Sequence, residues 1–202
     1  EKNVFKKKCK ETNSDIILSY FGYYNFNKGQ DILIDVAKKL LDLNIKNFKI
    51  LLIGRLELNK KAKKRLGIKI NNINHFKDLV SFYNLKKYFI ILNHKNKLSK
   101  YYRMTDIYLK TTRELKPWGR DLLEAMSYGV PYIALGDCDF LDKGKSGFLI
   151  DNLNIEKMTK VIIKLINNKN LREKMGKAGR NHIKLNFAPK KYAIKLKKIW
   201  LE

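Results

Sequence analysis

Short, continuous apolar runs recur along the chain, separated by longer segments with a helical spacing of apolar residues. Six of these runs predict β-strands, at residues 16–21, 48–53, 89–92, 107–110, 132–135 and 148–150, and a weaker seventh lies at 68–73. Within most of these runs apolar residues follow one another without alternation, which is typical of strands buried on both faces, as in a parallel sheet. The pattern therefore indicates a sheet covered by helices on both sides.

The segments between the runs predict the covering helices. They span residues 30–43, 59–66, 75–83, 98–104, 121–128, 155–167, 171–186 and 188–201. Regular alternation of strand and helix favours an α/β fold with an open, doubly wound parallel sheet. Ligands of such sheets bind at the carboxyl ends of the strands. Gly22 and Gly54 directly follow the first two predicted strands, so this edge is the expected site.

The composition is strongly basic, with 44 Lys and Arg against 19 Asp and Glu among 202 residues and a formal net charge of +25. Because the lysines are spread over nearly every segment, the bias indicates a general codon preference more than a nucleic-acid surface. We therefore expect no nucleic-acid partner, although a basic nucleic-acid-binding domain stays an alternative. A diffuse positive field would still attract phosphorylated ligands and anionic membranes.

Cysteine usage and hydropathy predict a cytoplasmic protein without a metal site. Cys9 and Cys138 are far apart and show no metal-ligand spacing. No apolar run approaches the ~20 residues of a membrane helix. Because the chain begins at Glu1 and not at Met, we expect it to be a piece of a longer protein, or a chain whose partner half lies elsewhere. Peripheral contact of that protein with the inner face of the membrane is left open.

The most informative segment runs from residue 116 to 134, where a polar loop, a helix, a tight turn and a buried strand follow one another. The loop ends at Gly119, Gly129 ends the helix, and Pro131 prevents it from resuming. A glycine loop entering a helix N-terminus presents free amides and a positive dipole end, which suit a phosphate. Glu124, one turn deeper, can accept hydrogen bonds from a sugar diol. The segment predicts a nucleotide-sugar pocket.

Further motifs occur in a fixed order around this segment. They are Gly22 with Lys28-Gly29 opening a helix, the strand ending at Gly54, residues 98–107 with two tyrosines and Thr105-Asp106, residues 119–134, residues 143–150, and residues 175–180 followed by Phe187. In this order and spacing the set resembles the C-terminal, donor-binding domain of the GT-B glycosyltransferases, specifically glycosyltransferase family 4, the group 1 transferases.

The resemblance implies a Rossmann-like domain at 15–186, preceded by a linker or arm at 1–14. It also implies a C-terminal helix at 187–202 that packs toward an absent N-terminal domain carrying the acceptor site. The implied activity is that of a retaining, hexosyltransferase-type enzyme that uses a nucleotide-sugar donor, UDP-linked by our expectation, without cofactor or metal. The parent enzyme would act in bacterial surface polysaccharide, such as capsule, or glycolipid biosynthesis. This part alone would bind donor and transfer little.

The resemblance also implies roles for individual residues. Lys28 would bind and neutralise the diphosphate leaving group, and Glu124 would hold the ribose hydroxyls. The remaining implied donor-binding residues are Gly22 and Gly54 at the strand-end turns, Arg55, Asn93 and His94 near the phosphates or base, and the backbone amides of Gly119, Arg120, Asp121 and Leu122.

The chain departs from the family pattern at two places. The family has two glutamates flanking seven residues; Glu124 fills the second position, but Lys116 stands at the first, with Glu114 two residues earlier. Glu114 is the candidate catalytic glutamate if the loop is two residues longer. Many relatives have arginine after the first glycine, where this chain has Tyr23, so Arg55 or Arg113 is a candidate substitute.

These departures leave two further interpretations open besides nucleic-acid binding. The domain could be a nucleotide-sugar-binding module whose catalytic centre has decayed. It could also belong to a related GT-B enzyme, such as a sugar phosphorylase or epimerase.

Overall fold

A computed structural model describes residues 15–58, 60–67, 73–142 and 144–201 of the chain. Within these ranges the strands are β1 (Ile16–Phe21), β2 (Phe48–Ile53), β3 (Phe89–Leu92), β4 (Ile107–Lys110), β5 (Tyr132–Leu135) and β6 (Gly147–Ile150). They form one sheet in the order β3-β2-β1-β4-β5-β6, and every neighbouring pair is parallel. The chain therefore winds outward first to one edge and then to the other.

The described helices are α1 (Ile32–Asp42), α2 (Lys60–Arg65), α3 (Phe76–Phe82), α4 (Ser99–Met104), α5 (Arg120–Ser127), α6 (Ile155–Asn167), α7 (Lys169–Asn186) and α8 (Pro189–Leu201). A short 3₁₀ turn at Phe26–Lys28 precedes α1. Helices α1, α3 and α6 contribute to one buried apolar cluster, and α4 and α5 contribute to a second. The two clusters lie on opposite faces of the sheet.

Strand side chains divide between these clusters by their position along the strand. In β1, Leu18 and Tyr20 belong to the first cluster, whereas Ile17 and Phe21 belong to the second. Successive side chains of a strand point to opposite faces, so a strand between two helical layers needs apolar residues at consecutive positions. This accounts for the continuous apolar runs and confirms the predicted doubly wound, Rossmann-like α/β fold.

The predicted elements agree closely with the observed ones. The first five strands have the predicted bounds, and β6 starts one residue earlier, at Gly147. The helix bounds differ from the predicted ones by at most two residues at either end. The weak strand predicted at 68–73 and the arm predicted at 1–14 fall wholly or almost wholly on residues outside the described ranges.

The C-terminal helix was predicted and is present as α8. Several of its apolar side chains are exposed, among them Ile199 and Trp200, the latter 78% exposed. Its packing toward a further domain stays a prediction. None of the helices in the described ranges combines the length and hydropathy needed to cross a membrane.

Candidate functional site

The strand order reverses between β1 and β4, and a cavity opens at the carboxyl ends of these two strands. Its volume is about 300 Å³. The lining comes from the segment after β1, the ends of β2 and β4, the loop after β3, and the start of α5. The lining residues that the sequence singled out are Gly22, Lys28, Gly54, His94, Gly119, Arg120, Asp121 and Glu124. Ligands of open α/β sheets bind at such a reversal point.

The turns after β1 and β2 touch through their backbones at the base of this cavity. A Cβ atom on Gly54 would lie 2.0 Å from the carbonyl oxygen of Gly22. No side chain fits there, so Gly54 allows the two turns to approach each other. The amide of Gly22 donates to the carbonyl oxygen of Ile53 at 2.8 Å, which fixes the turns together. The backbones of these two turns therefore form part of the cavity wall.

Lys28 ends the 3₁₀ turn and carries its ammonium group over the ring of Tyr23. The distance from Nζ to the ring centroid is 3.4 Å. Such a cation–π contact holds the side chain without neutralising its charge. Tyr23, at the position where the resemblance leads us to expect arginine, therefore supports the neighbouring lysine. The hydroxyl of Tyr20 donates to the carbonyl oxygen of Lys28 at 3.1 Å, which fixes the backbone of the turn.

Helix α5 begins at the cavity, and no side chain caps its N-terminus at Gly119. Glu124 is exposed and lines the cavity one turn into the helix. The hydroxyl of Tyr102, which also lines the cavity, donates to the carbonyl oxygen of Asp121 at 3.3 Å. Burial, followed by the negative charge of Glu124, raises the pKa of Tyr102. The phenol therefore stays protonated and can donate to a ligand or to the helix.

An ion pair lies beside the start of α5. The ammonium group of Lys110, at the end of β4, donates to both carboxylate oxygens of Asp121, at 2.9 and 2.7 Å. The hydroxyl of Tyr108 donates to the same carboxylate at 2.9 Å and accepts from the amide of Phe21 at 3.0 Å. Burial, followed by the charge of Asp121, raises the pKa of Tyr108. The network links β1, β4 and α5.

Four predicted site residues lie outside this cavity. Arg55 lines an adjoining cavity of about 550 Å³, which shares Gly22 and His94 with the first. Asn93 is exposed and lines neither cavity. Leu122 is buried, and its amide donates to the carbonyl oxygen of Gly119 at 3.3 Å.

Glu114, the fourth of these residues, is held on the loop between β4 and α5. Its Oε1 accepts a hydrogen bond of 2.7 Å from Nδ2 of Asn27. Leu115, which follows it, adopts the left-handed conformation with φ 54°. Lys116 is exposed and does not line the cavity. A glutamate at the first family position is therefore not reproduced at the cavity in this structure, and the role of Glu114 stays a prediction.

Arg113, a candidate substitute for the missing arginine, is engaged elsewhere. Its guanidinium pairs with the carboxylate of Asp31 and donates to the carbonyl oxygen of Phe26. It joins the loop after β4 to the turn bearing Lys28, and it does not line the cavity. Its role in the structure is to fix the two loops, so the proposed substitution by Arg113 is not supported.

A sequence profile described as "Glycosyl transferases group 1" matches residues 1–182. The chain belongs to this family. It is 26% identical over 192 residues to the capsular polysaccharide biosynthesis glycosyltransferase CapM of Staphylococcus aureus, an alignment that covers 91% of the chain and 45% of CapM. The group 1 chain therefore spans less than half the length of this relative.

Solved structures share the fold. A point mutant of S. aureus TarM, crystallised in complex with fondaparinux, α-GlcNAc-glycerol and UDP, matches with a TM-score of 0.75 and 21% identity, over 96% of this chain and 37% of TarM. The C-terminal domain of the group 1 glycosyltransferase LpcC of Francisella tularensis matches with a TM-score of 0.66 and 18% identity, over 86% and 87% of the two chains.

Sequence reasoning missed Lys110 and Tyr102 as cavity residues of this group 1 domain. Lysine is so abundant that a single one at a strand end carries no signal. The available signal was that Lys110 closes an otherwise apolar strand and is followed, eleven residues later, by Asp121 in the first turn of a helix. Tyr102 was noted only as part of a family segment. Among the described residues, no group of three or more His, Cys, Asp or Glu side chains could hold a metal ion.

Proposed function

We propose that this chain is the C-terminal, donor-binding domain of a retaining glycosyltransferase and that its cavity holds a nucleoside-diphosphate sugar. The observation that carries the proposal is the cavity between the ends of β1 and β4, where an ammonium group, an uncapped helix N-terminus and a carboxylate face the same space. Cations and helix amides suit a diphosphate, and a carboxylate suits a ribose diol. We assign these roles to Lys28, the start of α5, and Glu124.

The UDP-linked donor is the preferred substrate class. TarM, whose fold this chain shares, was crystallised with UDP. We propose that the nucleobase lies toward His94, where the loop after β3 borders the cavity, and that the diphosphate lies between Lys28 and Gly119. Neutralisation of the diphosphate as it leaves is the main electrostatic contribution that this chain can make to transfer.

The acceptor site and further catalytic groups are assigned to an N-terminal domain of the whole protein. CapM is more than twice the length of the aligned region, and the matching part of LpcC is its C-terminal domain. The exposed apolar side chains of α8 are the surface that we assign to this contact, since exposed apolar patches commonly mark interfaces. By analogy with CapM, the whole enzyme would act in surface polysaccharide biosynthesis in the cytoplasm. The chain alone should not transfer sugar.

Ligand binding to the isolated chain tests the donor assignment. UDP-glucose, UDP-N-acetylglucosamine, GDP-mannose and ADP-glucose are compared in a thermal-shift series, followed by calorimetry of the ligand that stabilises most. We expect one nucleotide to stabilise the chain with a dissociation constant in the micromolar to millimolar range. Absence of stabilisation by every nucleotide and nucleotide sugar would remove the basis for the proposal.

Two matched variants test the residue roles. Glu124→Gln removes one charge-assisted acceptor and should weaken nucleotide binding about tenfold, since such a hydrogen bond contributes roughly 1.5–3 kcal/mol. Glu173→Gln, which changes an exposed carboxylate paired with Lys169 outside the cavity, should leave the affinity unchanged. Equal effects of the two substitutions would contradict the assignment of Glu124 to the ribose.

A further inference from the structure

Lys110 is a buried cation at the cavity that no role described so far explains. It ends β4 and is 6% exposed. Burying an ammonium group is costly unless it is paired and hydrogen-bonded. The pairing here is with both oxygens of Asp121, and Nζ also lies 5.5 Å from the ring centroid of Tyr20. The lysine is thus held in one place, beside the first turn of α5.

Gly119 and Tyr108 accommodate the ion pair of Lys110 and Asp121. A Cβ atom on Gly119 would lie 2.2 Å from Oδ1 of Asp121 and 3.0 Å from Nζ of Lys110. The pair therefore occupies the space that a side chain at the helix N-cap would need. The hydroxyl of Tyr108 donates a further hydrogen bond to the same carboxylate. The carboxylate, the ammonium group and the helix start form one unit that lines the cavity.

Asp121 places a negative charge where the proposed ligand brings two phosphates. A carboxylate facing an anionic ligand in a partly desolvated cavity would oppose binding, because like charges repel more strongly where little water screens them. Lys110 donates two hydrogen bonds to that carboxylate and compensates its negative charge.

We propose that Lys110 is a positioning residue of the donor site, which acts through Asp121. It holds the carboxylate against the end of β4 and cancels its charge, so that the amides at the start of α5 can receive a diphosphate. The inference rests on the proposed function, because it needs the ligand to be phosphorylated. It adds a requirement that the family resemblance does not contain, namely charge balance between a strand-end lysine and the first turn of the helix.

The charge of the ligand separates this role from a purely structural one. UDP carries the diphosphate, and uridine has the same base and ribose without it. If Lys110 cancels the charge of Asp121, the substitution Lys110→Met weakens UDP binding and leaves uridine binding nearly unchanged. If Lys110 only maintains the shape of the cavity, the substitution weakens both ligands together. The ratio of the two affinities is therefore the readout.

Calorimetry of UDP and uridine is carried out on the wild-type chain, Lys110→Met, and the double variant Lys110→Met/Asp121→Asn. We expect Lys110→Met to weaken UDP binding about tenfold or more, because an uncompensated carboxylate then faces the diphosphate, and to change uridine binding less than about threefold. The double variant removes the carboxylate of Asp121, and the carbonyl oxygen of the introduced asparagine can still accept from Tyr108. This variant should restore UDP affinity to within about threefold of wild type.

Two results would overturn the inference. A double variant that stays as weak for UDP as Lys110→Met would show that the ammonium group itself contacts the ligand. An equal loss of UDP and uridine in Lys110→Met would show a structural role. If Lys110→Met does not fold, the double variant alone tests the inference. A UDP affinity of the double variant well below that of the wild-type chain would contradict it. A wild-type chain that binds neither UDP nor uridine would instead refute the proposed function.

Discussion

Removing the guanidinium of Arg113 should destabilise the domain strongly. Arg113 pairs with Asp31, with Nη1 3.0 Å from Oδ1, and Nη1 also donates to the carbonyl oxygen of Phe26. The side chains are 22% and 9% exposed, respectively. The pair joins the loop after β4 to the start of α1, two segments more than eighty residues apart in sequence.

The magnitude follows from burial. Breaking a buried pair by removing one partner costs about 3–5 kcal/mol, because the remaining charge is left without compensation. Arg113 keeps some solvent contact, so we expect Arg113→Met to cost about 3 kcal/mol. For a chain of this length that loss lowers the Tm by roughly 6–12 °C. Urea denaturation should show a lower midpoint with an unchanged m value.

Two further variants make this test specific. Arg55→Met removes an exposed arginine and should change the free energy of unfolding by less than about 0.5 kcal/mol. Asp31→Asn/Arg113→Met removes both charges and should be more stable than Arg113→Met, because no orphaned carboxylate remains. A Tm for Arg113→Met within about 2 °C of wild type, or a double variant less stable than the single one, would refute the reasoning.

Two other predictions concern a crowded glycine and the thiol of Cys138. Gly29 and Gly67 both have a left-handed φ, of 68° and 65°, but a Cβ on Gly29 would lie 2.0 Å from the carbonyl oxygen of Thr111, whereas one on Gly67 meets nothing within 4 Å. In urea denaturation, Gly67→Ala should therefore lower the free energy of unfolding by only about 1–2 kcal/mol, through backbone strain, and Gly29→Ala should lower it clearly more. Equal losses in the two variants would contradict the predicted crowding at Gly29. Burial raises the pKa of Cys138 to about 11, so in a Cys9→Ser chain its alkylation by iodoacetamide at pH 8 should be about tenfold or more slower than for a free cysteine, because the thiolate is the nucleophile. The rate should climb toward pH 11, and a midpoint near pH 8.5 would contradict the predicted shift.

The sheet could be predicted from sequence because its strands are buried on both faces. Apolar runs such as residues 48–53, interrupted only by Lys49, have few other interpretations when helical segments separate them. Helix ends were less certain because they depend on local capping. The Asn168 side chain accepts from the amide of Leu171, so α7 begins at Lys169 and not at residue 171, where the apolar pattern starts.

Beyond the strand-end positions and the residues that the family resemblance implies, the chemistry of the site could be predicted only where one short segment contains it. Gly119 and Glu124 belong to a single loop and helix, so their spacing alone predicts a shared location. The partner of Arg113 lies 82 residues away in sequence. The burial of Lys110 depends on how β4 meets α5, which no local pattern shows. Contacts between distant segments depend on how the helices and strands pack, so the pattern of a single sequence does not predict them.

In a chain with 44 lysines and arginines, a cation carries information about function only through its partners. Lys110 is compensated by Asp121 and Arg113 by Asp31, so neither has a full charge left to attract a phosphate. Lys28 differs from both. Within the described ranges no carboxylate lies at ion-pair distance from its Nζ, which contacts the ring of Tyr23 and lines the cavity. Because a cation–π contact leaves the positive charge in place, Lys28 is a cavity lysine that is held in position and still available to an anion. The assignment of Lys28 to the diphosphate therefore rests on this contact and on its uncompensated charge, and not on the abundance of lysine.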